Sequence, residues 1–377
     1  MRIALCLCPQ WSLITPSFAL GSLASSLEKD GHETEQIDLN LLSAYFAGNE
    51  KDKYWRFSHK ENAIYDGKVF QANFVNITKQ FSKFWDSWID KMSKFDVVCF
   101  TTYSSNITTT DYIARKLKQK NPKIQIWYGG PYCWQTESGG LVATQNDERK
   151  YREFVDVGCG LNEGEVIIKD LANQYHKHGN YNGVKGIWVW DKQTPSFPTI
   201  LPVGRSGRKP VFNGRPTKLV NMNELDIPKW SKETLDLYEK INKKDFFMLP
   251  VQTARGCTFK CTFCSETRLY RYKSAEKIQD DIDKLYKQYG YKDFWFVDSL
   301  MNGSMKQFKQ VIHLLDDLPY DIKWGGYGRT SKKMTKDLMK TAKSSGMNWL
   351  EVGVESGVPK ILGLMEKGQT PDVIKDV

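Results

Sequence analysis

No stretch of this sequence approaches the roughly 18 consecutive apolar residues that a membrane-spanning helix requires, so a spanning protein is not expected. The apolar opening from Ile3 to Cys8 is broken after six residues by Pro9, Gln10 and Trp11. That is short of the ~7 to 15 residues of a signal-peptide core, and it reads as a buried first strand. No period of roughly 20 to 50 residues recurs and no low-complexity tract occurs, which excludes solenoids and biased disordered segments. With no leader, the eight cysteines imply a reducing, cytoplasmic setting, where thiols serve as ligands or small buried groups rather than disulfides. The composition, 40% apolar, 26% charged and 13% aromatic over 377 residues, suits two or three domains at roughly 150 residues each. Basic residues number 54 against 44 acidic ones, a net charge of +10, which would draw phosphate. The excess is spread among acids, as from Lys273 to Lys292, in the pattern of solvated helix faces. Nucleic acid is therefore not expected as a partner.

Apolar runs alternate with helical spacing along the first half. Strands are expected at 3–8, before Asp38, at 96–101, 124–128 and 154–158, and helices at 17–29, 109–120 and 163–176. This rhythm predicts an α/β, doubly wound, Rossmann-like parallel sheet over 1–191, with any ligand at the carboxyl ends of its strands. Within it, 41–92 is an aromatic-rich insert in which Phe74, Ile77, Phe81, Phe84, Trp85, Trp88 and Met92 fall on one helical stripe, read as packing surface. Residues 192–245 carry Pro, Gly and Arg with little periodicity and are read as an interdomain connector. A second series fills 246–377: strands at 247–254, 293–297, 322–327 and 349–354, helices at 275–289, 305–315, 331–345 and 359–365. Four strand-helix units predict a curved, partial TIM-barrel sheet, again with function at the strand carboxyl ends.

Cys257, Cys261 and Cys264 form CxxxCxxC directly after the first strand of the second series. Three thiolates on one short loop can each hold a different iron of a 4Fe-4S cubane, soft ligands on soft metal. A structural zinc site would want a fourth ligand. No further cysteine is near, and no histidine lies within about 40 residues. The cluster is the stronger reading, with one iron left open. Cys6, Cys8, Cys99, Cys133 and Cys159 are read as buried or strand-end thiols rather than a second cluster.

This motif resembles that of the radical S-adenosylmethionine enzymes, and 246–377 resembles the first four units of their six-unit partial barrel. The resemblance implies that S-adenosylmethionine chelates the open iron and is cleaved by one electron to a 5'-deoxyadenosyl radical, the electron coming from a donor such as flavodoxin or ferredoxin. It implies S-adenosylmethionine contacts from Phe263 in the motif and from Asp298 and Ser299 after the second strand. Asp298 would stand in for the family's Gly-Gly-Glu, which this chain lacks. Arg329 after the third strand would pair with the carboxylate, and Glu355 and Ser356 of Gly353-Val-Glu-Ser-Gly357 after the fourth would hold the ribose or methionine end. The first domain resembles the cobalamin-binding module of one radical branch. Thr101, Thr102, Ser104, Gly129, Gly130, Pro131, Gly158 and Glu163 would line the macrocycle, in the stretches 101–105, 129–131 and 156–165. Asp30-Gly-His32 matches the cobalt-ligating DxHxxG of the mutases only superficially, Glu35 standing where glycine belongs, so His32 is read as a turn residue.

The expected function is a cobalamin-dependent radical enzyme, most simply a methyltransferase at an unactivated carbon of a small-molecule or peptide substrate. The alternatives are a methylthiotransferase on RNA or protein, and a non-catalytic cofactor-binding fragment or half of a split enzyme. The last is motivated by the two barrel units that do not follow 359–365: a partner chain would complete the barrel, and this chain alone would turn over poorly.

Overall fold

The run from Ile3 to Cys8 does form a buried strand, β1 (Arg2–Leu7), all but its first residue enclosed. Helix α1 (Phe18–Lys29) follows, started by the Ser17 hydroxyl accepting from the Leu20 N–H at 3.3 Å, and leads into β2 (Glu33–Asp38). The Asp38 carboxylate caps α2 (Leu39–Ala47) by accepting from the Leu41 N–H at 2.8 Å. Next come α3 (Asp52–Trp55), α4 (Gly67–Met92), β3 (Val97–Thr101), α5 (Ile107–Lys120), β4 (Gln125–Gly129) and α6 (Pro131–Trp134). They are followed by β5 (Val157–Cys159), α7 (Gly164–His178), β6 (Ile187–Trp190), β7 (Pro210–Phe212) and α8 (Lys232–Asn242). The computed structural model describes residues 1–55, 67–134, 154–159, 163–190, 210–216, 219–242, 247–266 and 268–376. The chain divides into two units: Met1–Leu13, Ser17–Leu219 and Pro228–Lys243 in the first, Ile14–Pro16, Val220–Ile227 and Lys244–Val377 in the second.

The first unit holds one seven-stranded sheet in the order β2-β1-β3-β4-β5-β6-β7. Strands β2 to β5 of that order run parallel, and β6 and β7 are antiparallel additions. The strand order switches direction between β1 and β3, β2 being added on one side and β4 on the other, so the carboxyl ends of these two strands frame the crevice where such sheets bind ligands. The aromatic stripe of α4 is core: Ile77, Phe81, Trp85 and Met92 are buried, and Trp85 donates its indole N–H to Ser43 at 2.9 Å. Phe84 and Trp88 pack at the edge of that cluster, and the side chain of Phe74 lies outside the described residues. Part of the stretch read as connector is structured, a correction to that reading. β7 extends the sheet, and α8 is amphipathic, burying Leu235 and Tyr238, with the Tyr238 hydroxyl on Asp38 at 2.7 Å. Of that stretch, 192–209, 217–218 and 243–245 lie outside the described residues.

The second unit carries four parallel strands in the order β8 (Leu249–Val251), β11 (Asp293–Phe296), β12 (Lys323–Gly328), β13 (Met347–Val352). A small antiparallel ribbon pairs β9 (Ala254–Arg255) with β10 (Arg271–Tyr272). Between the strands lie α9 (Ala275–Tyr289), α10 (Met305–Asp316) and α11 (Lys336–Ser344), capped by Ser274, Ser304 and Thr335. Short helices α12 (Pro359–Leu364) and α13 (Pro371–Lys375) follow β13. The single strand expected at 247–254 is split, because the Thr253 and Ala254 N–H groups turn away to a side chain described below. The helix expected from 331 begins only at Lys336, where the Thr335 hydroxyl accepts from Leu338 at 3.3 Å. Both units are α/β with parallel sheets.

Gly130 marks the tightest approach in the first unit. Its φ is +96°, and a Cβ there would lie 2.6 Å from the Thr102 carbonyl oxygen and 2.8 Å from its nitrogen. Gly130→Ala should destabilise this unit by about 2 kcal/mol or more, read as loss of hydrogen-exchange protection in β3 and β4. Unchanged protection would contradict the packing described.

Candidate functional site

The cysteine loop leaves the sheet through Gly256, whose φ is +82° and whose Cβ would lie 2.5 Å from the Arg268 carbonyl oxygen and 2.6 Å from that of Leu269. Only glycine makes this exit without displacing backbone. Cys257 and Cys261 are half-buried and Cys264 is exposed. Backbone N–H groups aim at two of the sulfurs, Phe259 at Cys257 (3.5 Å) and Glu266 at Cys264 (3.4 Å). Such bonds favour thiolate and hold it for metal. Burial raises the Cys257 thiol above its usual value, and the Phe259 N–H works against that rise. Among the described residues no three His, Cys, Asp or Glu side chains converge on one point.

The loop is rooted by Asp298, which follows β11 and is 1% exposed. One carboxylate oxygen accepts the N–H groups of Thr253 and Ala254, each at 2.8 Å, and the other accepts the Thr253 hydroxyl. These are the groups that end β8. The expectation that Asp298 would take the S-adenosylmethionine amino group is therefore corrected: its oxygens are committed to the strand end that carries the cysteines. Ser299 is exposed and donates to Glu266 at 2.6 Å, while Arg268 donates through Nε to Glu266 at 2.8 Å and through Nη2 to Ser299 at 3.2 Å. Burial pushes the Glu266 carboxyl up, but the bonds from Arg268 and Ser299 outweigh it and hold the group below its usual value.

The other expected residues gather on the same loop to differing degrees. Glu355 sits in the left-handed region at φ 61° and pairs with Lys367 at 2.9 Å. The Lys367 ammonium lies 5.6 Å from the centre of the Phe263 ring, so the β13 end and the cysteine loop share one cation. Arg329, after β12, lays its guanidinium 3.5 Å from the centre of Phe259. Ser356 is turned into its own loop, accepting from Val358 at 3.1 Å. Lys367, Asn302, Glu266 and Arg268 were not foreseen. Glu266 and Arg268 stand within a few residues of the third cysteine, which was their available signal; Asn302 and Lys367 have none short of the fold.

In the first unit the β1–β3 crevice is built from two loops tied together. Asn106 is fully buried and accepts from the Tyr103 N–H at 2.8 Å while donating to the Thr101 and Cys8 carbonyls at 3.1 and 3.4 Å. The Ser105 hydroxyl donates to Gln10 at 2.9 Å, and Trp11 stacks on Tyr103 with centres 3.6 Å apart. Ser104 is exposed at this edge, and Gly129, which ends β4, and Gly130 and Pro131 after it are half-exposed. Thr102 is a correction: it is fully buried, with N–H and hydroxyl both given to the Gly129 carbonyl at 2.7 and 2.6 Å, so it joins two loops rather than facing a ligand. Gly158 is enclosed between β4 and β6, and Glu163 is buried at the start of α7; Gly160, Leu161 and Asn162 of the same stretch lie outside the described residues. His32 precedes β2, at the opposite end of the sheet, buried with its Nε2 at 2.9 Å from Asn173.

Residues 251–377 match the Radical SAM superfamily. Curated relatives include an uncharacterized methyltransferase, PH0819, of Pyrococcus horikoshii, 26% identical over 82% of this chain and 60% of the relative. Another is the cytidylyl-2-hydroxyethylphosphonate methyltransferase of Streptomyces wedmorensis, 23% identical over 92% of this chain and 62% of the relative. The chain thus spans about three-fifths of the length of these relatives. Among solved structures, the radical S-adenosylmethionine methyltransferase TsrM from Kitasatospora setae, with cobalamin and a [4Fe-4S] cluster bound, covers 100% of this chain and 65% of its own length. It superposes at a TM-score of 0.67 and is 16% identical.

Burial lifts the Asp298 carboxyl from 3.8 to about 6, against the pull of its Thr253 and Ala254 bonds. The folded protein thus holds this proton more tightly than the unfolded chain. The contribution to stability is complete below pH 3.8 and is lost as pH rises through about 6. Asp298→Asn keeps the acceptor and removes the titration, so its stability relative to wild type should improve between pH 4 and 7, by at most on the order of 3 kcal/mol. Urea unfolding across that range reads it; a difference that does not vary with pH would contradict the burial described.

Proposed function

Residues 251–377 match the Radical SAM superfamily, and from that premise we propose that the chain is a cobalamin-dependent radical enzyme, in the simplest case a methyltransferase acting at an unactivated carbon. The carrying observation is the cysteine loop: three thiols spread along one glycine-hinged turn, two of them already receiving backbone N–H groups. The donor set suits a cubane with one iron left for an external ligand. When bound, the cluster would supply the electron that cleaves S-adenosylmethionine, and cobalamin would supply a methyl carrier.

The residues around that loop would do the holding. Cys257, Cys261 and Cys264 ligate, while Asp298 keeps their strand end fixed. Arg268, already set by Glu266, offers a donor for the polar end of S-adenosylmethionine, and the Ser299 oxygen, its proton given to Glu266, offers an acceptor. Glu355, presented by Lys367, offers an acceptor for an amino or ribose hydroxyl group, with Ser356 beside it. Phe263, 53% exposed, gives an apolar face that excludes water on that side. In the first unit, the exposed Ser104 and the side-chain-free edge at Gly129 and Gly130 suit close approach by a large flat macrocycle, with Thr101, Pro131, Gly158 and Glu163 shaping the strand ends behind them. Trp11 and Tyr103, stacked after β1 and β3, would give the macrocycle an aromatic floor at this crevice. A low-potential one-electron donor of the flavodoxin or ferredoxin kind is implied, and the substrate is a small molecule or peptide. The TsrM structure, which holds both groups, and the curated methyltransferase relatives support this reading.

Anaerobic reconstitution of the full chain with iron, sulfide and hydroxocobalamin should give about four irons and one corrinoid per chain. Replacing all three of Cys257, Cys261 and Cys264 by Ala should abolish the iron and the 5'-deoxyadenosine formed under reduction while leaving corrinoid uptake intact. Iron retained by the triple variant would overturn the assignment.

A further inference from the structure

Resting on the cluster reading above, we propose that Arg329 is the fixed counter-charge of the iron-sulfur cluster, a positioning residue that raises its reduction potential, rather than a ligand of the S-adenosylmethionine carboxylate. Its guanidinium lies flat over Phe259 at 3.5 Å from the ring centre, and Phe259 is two residues from both Cys257 and Cys261. The backbone of Arg329 is gripped on both sides by one amide: Asn302 accepts from its N–H at 3.0 Å and donates to its carbonyl at 2.8 Å. Gly368, at φ +63°, leaves room for the head group, since a Cβ there would come within 3.4 Å of Nη2. That Nη2 is buried and has no hydrogen-bond partner among the described residues. The guanidinium lies within electrostatic reach of the Cys261 and Cys257 sulfurs.

A guanidinium stays charged in a protein, and leaving one half-buried with an unsatisfied nitrogen is costly unless an anion arrives to meet it. A cubane on three thiolates is such an anion. On reduction it takes one electron from the low-potential donor named above, no proton moves, and its negative charge grows by one. A cation held beside it in a low-dielectric setting stabilises the reduced form more than the oxidised form. Lys367 cannot serve in the same way, because Glu355 neutralises it at 2.9 Å.

The test is a redox titration of the reconstituted full-length protein, followed by paramagnetic resonance, on wild type, Arg329→Gln and Arg329→Lys, with iron content and S-adenosylmethionine affinity measured on the same samples. The expected result is a full iron complement in R329Q with a lower midpoint, the reduced fraction at fixed potential falling about tenfold, equivalent to about 59 mV for one electron. R329K, which keeps the charge, should return close to wild type. An unmoved midpoint in an iron-replete R329Q overturns the inference, as does a loss of S-adenosylmethionine affinity with no change in potential. If R329Q takes up no cluster, R329K decides: a wild-type midpoint supports the charge role, and loss of the cluster there too overturns it. Failure of wild type itself to bind iron would instead strike the cluster reading.

Discussion

A single buried carboxylate carries the site. Asp298 brings three donors of the β8 end onto its two oxygens, so that the chain leaves the sheet at one fixed point and turns through Gly256 into the cysteine loop. Sulfurs that must meet separate irons of a rigid cubane need this advance placement, because a short loop free to fold in many ways would lose conformational entropy on loading. The desolvation of Asp298, visible in its raised pKa, is the cost of that anchoring, and it is partly offset by the Thr253 and Ala254 hydrogen bonds that replace those to water.

From this anchor the rest of the second unit follows as a set of strand ends converging on one loop. Beyond β11 come Ser299 and its partners Glu266 and Arg268; beyond β12 comes Arg329 with its clamp Asn302; beyond β13 come Glu355 and Lys367. Two phenylalanines inside the cysteine motif each face one cation: Arg329 lies on Phe259, while Lys367 near Phe263 is also paired with the Glu355 carboxylate. The first unit uses different chemistry for its own crevice. Asn106, Ser105 and the Trp11–Tyr103 stack knit the loops after β1 and β3, and glycines clear the edge after β4, which is what a large, mostly uncharged ligand requires.

Much of this was readable from sequence. The alternating apolar runs gave the parallel strands within a few residues because strands buried on both faces are nearly continuous in apolar residues, and the CxxxCxxC spacing picked out the loop on which the strand ends of the second unit converge. Aromatic residues at helical spacing identified α4 as packing surface. What failed had physical causes. β6, β7 and α8 are short and set apart by Pro- and Gly-rich sequence, so their pairing is decided by tertiary contact that no local period reports. The 247–254 run was read as one strand because the acceptor that breaks it, Asp298, stands 45 residues beyond Thr253. The same hidden bond made Asp298 look like a ligand-binding residue, and Thr102 misled in the same way. Strand-end polar residues are equally suited to holding a cofactor and to holding a neighbouring loop, and only the partners distinguish the two.

The central claim is that three sulfurs hold a cubane whose fourth iron is open to S-adenosylmethionine. It is tested most directly by electron-nuclear double resonance of the reduced protein mixed with S-adenosylmethionine labelled at its amino nitrogen. The account predicts a hyperfine coupling from the label, showing direct bonding to iron of a four-iron cluster. An intact cluster that shows no coupling to the label, or a spectrum belonging to a two-iron cluster, would contradict it.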